Sequence, residues 1–300
     1  MSGSSNASSR RSPRIGESPL VRRALIIGVL VVSAFVIAAP LAVIAVQAFS
    51  KGVETYLAAI AHPDTLHAIG MTLVTALIAV PINTLFGIAS AWAITKFDFP
   101  GRRLLLVVIE IPFSISPIVA GVAYLFVYGL QGLFGEWLSA HDFKVLFALP
   151  GIVLASLFVT APFVARELIP LMQAQGRDLE EAAASLGASG LRTFFSVTLP
   201  NIRWALLYGV VLCNARVMGE FGAVSVVSGN IRGQTNTLPL HVELLYHDYQ
   251  TAGAFAAASI LAGLAVVTLF VKVALERRGA GRRNRPAFVA EPAGISKETP

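Results

Sequence analysis

Arg216 and Glu220 stand four residues apart inside a stretch that is otherwise apolar. An unpaired charge at the centre of a lipid-spanning helix costs about 2.5–3.5 kcal/mol. Four-residue spacing places both on one helix face, where they can pair. Arginine before glutamate is the less favourable order, so an acid from another helix is also a candidate partner. Glu110, alone in its own apolar run, is that acid. Two readings follow. The pair locks helices together, or it belongs to a face, with Asn214, that lines a pathway or its gate. Gly219 and Gly222 beside it allow close helix approach. A polar, nearly neutral stretch comes next: Ser228, Asn230, Gln234, Thr235, Asn236 and Thr237, with Arg232. Neutral donors stabilise a passing oxyanion without trapping it. The alternative is an ordinary surface loop.

A second segment, Glu180 to Pro200, is polar and helical in pattern, and Gly187 breaks it once. Asp178 reads as a helix N-cap with Glu181 three residues on, as in a capping box. Ala182, Ala183 and Ala184 favour helix and add little bulk. Gly187 supplies the positive φ that helix ends use. Ser189 reads as the cap of a second short helix through Leu191, Phe194, Phe195 and Val197, which Pro200 ends. An amphipathic pair lying on lipid is one reading. The acids of the first helix would be repelled by anionic lipid. Its small alanine face favours another protein, so docking is the stronger expectation.

Other chemistries find no support. No G-x-x-x-x-G-K-[ST] phosphate loop is present, so ATP hydrolysis, if any, belongs to a partner. His62, His67, His141, His241 and His247 all fall on one expected side of the membrane; His62 and His67 are spaced poorly for one helix face and no cysteine accompanies them, so a metal site is not expected. Cys213 is the single cysteine and reads as a buried thiol. No nucleophile–base pair stands out, and nothing asks for nucleic acid.

These residues need elements to hold them, and composition says which. Hydrophobic residues make up 55% of the chain and charged ones 13%, against roughly 25% charged in soluble domains. Six runs are long enough for the ~20 residues that span a bilayer: Ala24–Ser50, Leu66–Thr95, Leu104–Leu130, Val145–Ala165, Trp204–Ser228 and Ala252–Leu275. Basic residues cluster in alternate connections. Arg10, Arg11, Arg14, Arg22 and Arg23 precede the first run, and Lys96, Arg102 and Arg103 follow the second. Arg166, Arg177, Arg192 and Arg203 follow the fourth, and Arg277, Arg278, Arg282, Arg283, Arg285 and Lys297 follow the last. The other three connections hold only Lys51, Lys144 and Arg232. By the positive-inside rule both termini are cytoplasmic, as is the Glu180–Pro200 segment. The expected organisation is a disordered basic tail over 1–23, a first span over 24–50, a five-span core over 65–275 with a cytoplasmic loop at 166–203, and a disordered tail over 276–300. The first apolar run is too long for a signal peptide and reads as a retained span.

Glu181-Ala182-Ala183, then Gly187, then Val197-Thr198-Leu199-Pro200 resembles the "EAA" loop of ABC importer permeases. Family members usually have isoleucine at the place of Val197. Gly219-Glu220-Phe221-Gly222-Ala223 resembles a motif shared by sulfate and molybdate permeases. The run to IRGQTNTLPL, with FDFPGRRLL, PFSISPIVAG and PFVARELIPLMQAQG, is similar to the W-type permease of sulfate/thiosulfate importers. The likeness covers about Ala48 to Leu275.

The resemblance implies an all-α, six-span type I importer permease in a bacterial inner membrane. Glu181, Ala182, Ala183, Gly187, Val197, Leu199 and Pro200 would form the contact that couples it to an ATPase. Arg216, Glu220, Asn214, Glu110, Arg232, Thr235, Asn236 and Thr237 would line or gate the pathway. The partners implied are a second, T-type permease, two ATPase subunits and a periplasmic sulfate- or thiosulfate-binding protein. The first span would wrap a partner. The chain itself would bind no cofactor, and its partner ATPase would use ATP and Mg. A molybdate or tungstate importer is the nearest alternative. An ion-coupled transporter using Glu110, Arg216 and Glu220, or a membrane scaffold, stands further off.

Overall fold

The computed structural model describes residues 19–283, and every element in them is helical. The expected tails thus lie largely outside the described residues. Their inner edges are helical: Pro19 starts the first helix and Arg283 ends the last.

Two compact units divide the chain, 1–46 and 47–300. In the first, α1 (Pro19–Ser33), a π-helical turn (Ala34–Ala38) and α2 (Ala39–Ala48) form one rod. Its Leu25, Val29, Val32 and Phe35 are all exposed, as suits a helix whose solvent is lipid or another protein. The π turn stops two residues before Pro40. Proline has no N–H for the carbonyl of Val36 and its ring crowds it, and the wider π turn accommodates both.

The second unit begins with α3 (Val53–Ala61) and the long α4 (Pro63–Lys96), which contains Pro81. Then come α5 (Arg102–Ser114), α6 (Pro117–Tyr128), the short α7 (Gly135–Ala140), α8 (Leu149–Thr160) and α9 (Pro162–Gln175). The polar segment gives α10 (Asp178–Ser185) and α11 (Gly190–Thr193). A second π turn (Phe194–Thr198) leads into α12 (Leu199–Met218). The chain finishes with α13 (Gly222–Ser228), α14 (Leu238–His247) and α15 (Thr251–Arg283).

Five stretches among the described residues are long and apolar enough to cross a membrane: Leu20–Ala48, Pro63–Lys96, Leu149–Gln175, Gly190–Met218 and Thr251–Ala274. The third expected span is broken. Its halves α5 and α6 meet at 107°, and they give a sixth crossing only if counted as one span. The cause is local: Pro117 cannot supply the N–H that would continue α5, and Ile115 and Ser116 before it have left the helical region, at ψ 133° and 131°. The fifth span also differs from expectation. It ends at Met218, and α13 is a separate helix beyond a break at 219–221.

The core is built on small residues, which let helix backbones approach closely in a membrane protein. Ala76, Ala79 and Ala91 of α4 and Val164, Ala165 and Leu168 of α9 join Ile202 and Cys213 of α12 in one buried cluster. Two glycines flank α9. A Cβ on Gly87 would lie 2.6 Å from Val164 Cβ, and one on Gly209 would lie 3.2 Å from Val164 Cα. One buried amide inside this packing is satisfied between helices. Asn83 of α4 donates to the Leu157 carbonyl at 3.2 Å and to Thr160 Oγ1 at 2.7 Å, both on α8. In turn, Thr160 donates to the Ser156 carbonyl. The short α13 rests on α6, where a Cβ on Gly121 would come within 2.9 Å of the Ala223 carbonyl.

Candidate functional site

The Glu180–Pro200 segment is two helical limbs around a glycine turn. The first limb, α10, begins at Asp178 itself, so Asp178 is inside the helix and not its cap; Arg177 precedes it and makes no side-chain cap. Asp178, Glu180 and Glu181 still crowd the first turn, where the helix dipole favours acids. Gly187 ends the limb at φ +83°. Its N–H reaches the Ala184 carbonyl at 2.9 Å, and the Ala188 N–H reaches Ala183 at 3.0 Å. That is the Schellman pattern, and it needs the left-handed residue that glycine supplies. Ser189 opens the second limb in extended backbone, without a side-chain cap. Pro200 does not end that limb as expected. It sits in the first turn of α12, two residues past the π turn, so the chain runs helically from Gly190 to Met218. The reason is the one met at Pro40: the π turn accommodates the missing N–H.

The outer face of this segment is bare. Glu181, Ala182 and Gly187 are exposed, as are Leu179, Leu191 and Phe195. Leu186 is 88% exposed at the tip. Ala183, Val197 and Leu199 are half-buried, and Pro200 is exposed. Acid, small and apolar groups share this exposed face. On the inner face, Trp92 of α4 packs on Phe97 and Phe194, with ring centroids 5.7 and 5.0 Å apart. Two side chains that sequence reasoning passed over lie there. Glu180 Oε1 is 2.9 Å from Lys96 Nζ and accepts from Thr198 Oγ1 at 3.1 Å. Lys96 stands on α4, far away in sequence, so no local pattern announces the contact.

Arg216 and Glu220 do pair, although one continuous helix does not carry them. Arg216 lies in the last turn of α12, and Glu220 follows the helix end in the break. Arg216 Nη1 approaches Glu220 Oε2 at 2.7 Å, a close charge contact without hydrogen-bond alignment. The other carboxylate oxygen accepts from the Ala223 N–H at 3.0 Å, in the first turn of α13. Glu220 therefore joins α12 to α13. Its side chain is 1% exposed, whereas that of Arg216 is 33% exposed. Asn214 lies half-buried beside Met218 Sδ at 3.4 Å. Glu110 takes no part in this pair and stands on an exposed face of α5.

The polar stretch is folded in on itself. The Thr235 hydroxyl donates to the Ser228 carbonyl at 2.6 Å and accepts from the Ile231 N–H. Asn236 and Thr237 are buried, and Arg232 forms an ion pair with Asp248. Asn236 Nδ2 lies 3.4 Å from Nδ1 of His241, whose Nε2 is 3.0 Å from Thr65 Oγ1. Thr65 donates to the Ala59 carbonyl, so its oxygen is left to accept from His241 Nε2–H. That chain of bonds suits a neutral imidazole.

Burial lowers the pKa of His241 from its ordinary range; Asp64 opposes this, while Arg232 and His62 add to it. The unfolded chain therefore takes up a proton at a pH where the folded one does not. Stability from this site is present above about pH 6.5 and is lost as pH falls below it. Thermal unfolding of the detergent-solubilised protein should show that loss, and His241→Gln should flatten it. An unchanged slope in the variant would contradict the assignment. No group of three or more His, Cys, Asp or Glu side chains fit for a metal occurs among the described residues.

Five long apolar helices and one bent pair, packed on small residues, define a multi-span membrane protein. Residues 83–280 match the sequence family "Binding-protein-dependent transport system inner membrane component", and the chain belongs to that family. It is 57% identical over 249 residues to the sulfate transport system permease protein CysW of Escherichia coli (strain K12), covering 83% of this chain and 86% of that protein. It is 49% identical over 250 residues to sulfate permease 2, chloroplastic, of Chlamydomonas reinhardtii, covering 83% and 68%. Identity to CysT of E. coli K12 is 35% over 244 residues, covering 81% and 88%. Among solved structures, a bacterial alginate ABC transporter in complex with an alginate pentasaccharide-bound periplasmic protein shares the fold. The TM-score is 0.71 at 16% identity, over 88% of this chain and 96% of that one.

Proposed function

We propose that this chain is a permease subunit of an ATP-driven sulfate importer in a bacterial inner membrane, with thiosulfate as a second substrate. The observation that carries the mechanism is the exposed Glu181-Ala182-Ala183…Gly187 limb, held out on a short helix with nothing covering it. The substrate rests on relatives named as sulfate permeases at 49–57% identity. Both termini are cytoplasmic in this reading, the bent α5–α6 pair counts as one span, and six crossings result. The basic residues of alternate connections set that orientation.

The chain forms half of the pathway, beside a second permease of the CysT kind. Two ATPase subunits sit below, each binding ATP and Mg, and this chain supplies neither the nucleotide site nor a cofactor of its own. A periplasmic binding protein delivers the anion. Docking on the limb converts ATP-driven closure into reorientation of the spans. Arg216, a third exposed, faces the anion near the breaks in the third and fifth spans, and Glu220 holds it in place. Asn214 flanks that site. Glu110 on the open face of α5 meets the second permease or the pathway. Arg232, Thr235, Asn236 and Thr237 shape the outer mouth through backbone position.

Uptake of radiolabelled sulfate in cells that lack this chain tests the reading. Restoring the chain should restore uptake, and cold thiosulfate should compete. In cells with no other sulfate route, no dependence on the chain would overturn the substrate, and molybdate would be the next anion to try.

A further inference from the structure

The limb that meets the ATPase is a short helix between two bends. Before α10 comes Gly176 at φ +69°, and after it Gly187 at φ +83°. Positive φ calls for glycine at both joints, and glycine is the most permissive backbone residue. A helix of 8 residues held only by such joints would pivot when pushed, and the push would be lost. Something must tie it sideways to a long helix.

One buried cation does so. Lys96 is the last residue of α4, and its side chain is 6% exposed. Its ammonium lies 2.9 Å from Glu180 Oε1 and also donates to the Gly176 carbonyl. The same Glu180 oxygen accepts from Thr198, which is buried in the π turn that begins the α12 limb. Four chain segments converge there: the end of α4, the end of α9, α10 and the root of α12. The neighbouring contacts of Asp98 with Arg177 and Arg102 are of another kind. That carboxylate is 71% exposed, and exposed pairs contribute little. The Lys96–Glu180 pair is charge-assisted and shielded from water, where such bonds are strong and the loss of one partner is costly.

We propose that Lys96, Glu180 and Thr198 form the strut that carries ATPase-driven displacement from the docking limb into α4 and α12. Glu181, its neighbour, faces outward to the ATPase; Glu180 faces inward to the spans. The two adjacent acids thus divide docking from transmission. These are positioning residues, and the proposal rests on the importer reading above.

The test uses the assembled transporter in lipid vesicles with Lys96→Met, Glu180→Gln and Lys96→Arg. For the first two, ATP-driven sulfate uptake should fall about tenfold, within the usual range of coupling between sites. The ATPase should still co-purify and still hydrolyse ATP, so more ATP is spent per anion imported. Lys96→Arg, which keeps the charge, should recover most uptake. Unchanged uptake with Lys96→Met at equal protein level would overturn the strut. Loss of ATPase co-purification would overturn it too, since the residues would then only shape the docking face. The importer reading fails separately, when vesicles with the unaltered chain show no ATP-driven sulfate uptake.

Discussion

Gly187→Trp abolishes sulfate uptake while the chain still inserts in the membrane at its normal level. A Cβ at Gly187 would meet nothing within 4 Å, so the position has open space around it. Its backbone is the constraint, at φ +83°. Alanine there brings backbone strain of about 1 kcal/mol and almost no bulk. Tryptophan brings the same strain and a large ring on the face that Glu181, Ala182 and Leu186 present. The comparison separates the two causes: Gly187→Ala should keep most uptake and Gly187→Trp none. Glu181→Lys should match tryptophan for a different reason, because it reverses the charge of an exposed acid on the docking face. Uptake, protein level and co-purification of the ATPase are the measurements. Normal uptake by both Gly187→Trp and Glu181→Lys at normal level would remove the docking role from this limb.

How far the sequence reveals this protein depends on whether a contact is local. Gly187 is legible because a turn between two helical runs needs a left-handed residue, and the run of alanines and acids before it reads as helix. The five long apolar crossings are legible by length alone. The break between α5 and α6 is signalled by Pro117, but its 107° angle is not, nor is the close approach of Pro117 and Gly121 to Gly222 and Ala223 of α13. Pro200 was expected to stop a helix and instead sits inside one, since a π turn two residues earlier makes room for it. Propensity treats proline alone and does not see that accommodation. Lys96 and Gly176 are 80 positions apart, so the strut becomes visible only when α4 and α9 are packed. Thr235, Asn236 and Thr237 show the opposite case. Their polarity suits a pathway lining, yet all three are buried; Thr235 bonds within its own loop and Asn236 reaches His241 of α14.

The largest effect on stability should come from Arg216→Ala. It leaves the Glu220 carboxylate, 1% exposed, with only the Ala223 N–H at 3.0 Å for company. Breaking one half of a fully buried ion pair costs about 3–5 kcal/mol, and the 33% exposure of Arg216 places this pair below that range. Arg216→Lys keeps a cation near Glu220 and should lose much less, in thermal unfolding and in uptake. A purely structural pair and a pathway residue predict the same result for those two variants, so a third is needed. Arg216→Met combined with Glu220→Gln removes both charges together. The glutamine oxygen can still accept from Ala223, and a matched neutral replacement of a buried pair is often neutral for stability. The expected result is recovered thermal stability with uptake still lost. A divalent anion near the breaks in the spans needs the positive end of this pair, and methionine offers none. If the double variant recovers both stability and uptake, the pair serves helix packing alone, and the anion passes by other groups.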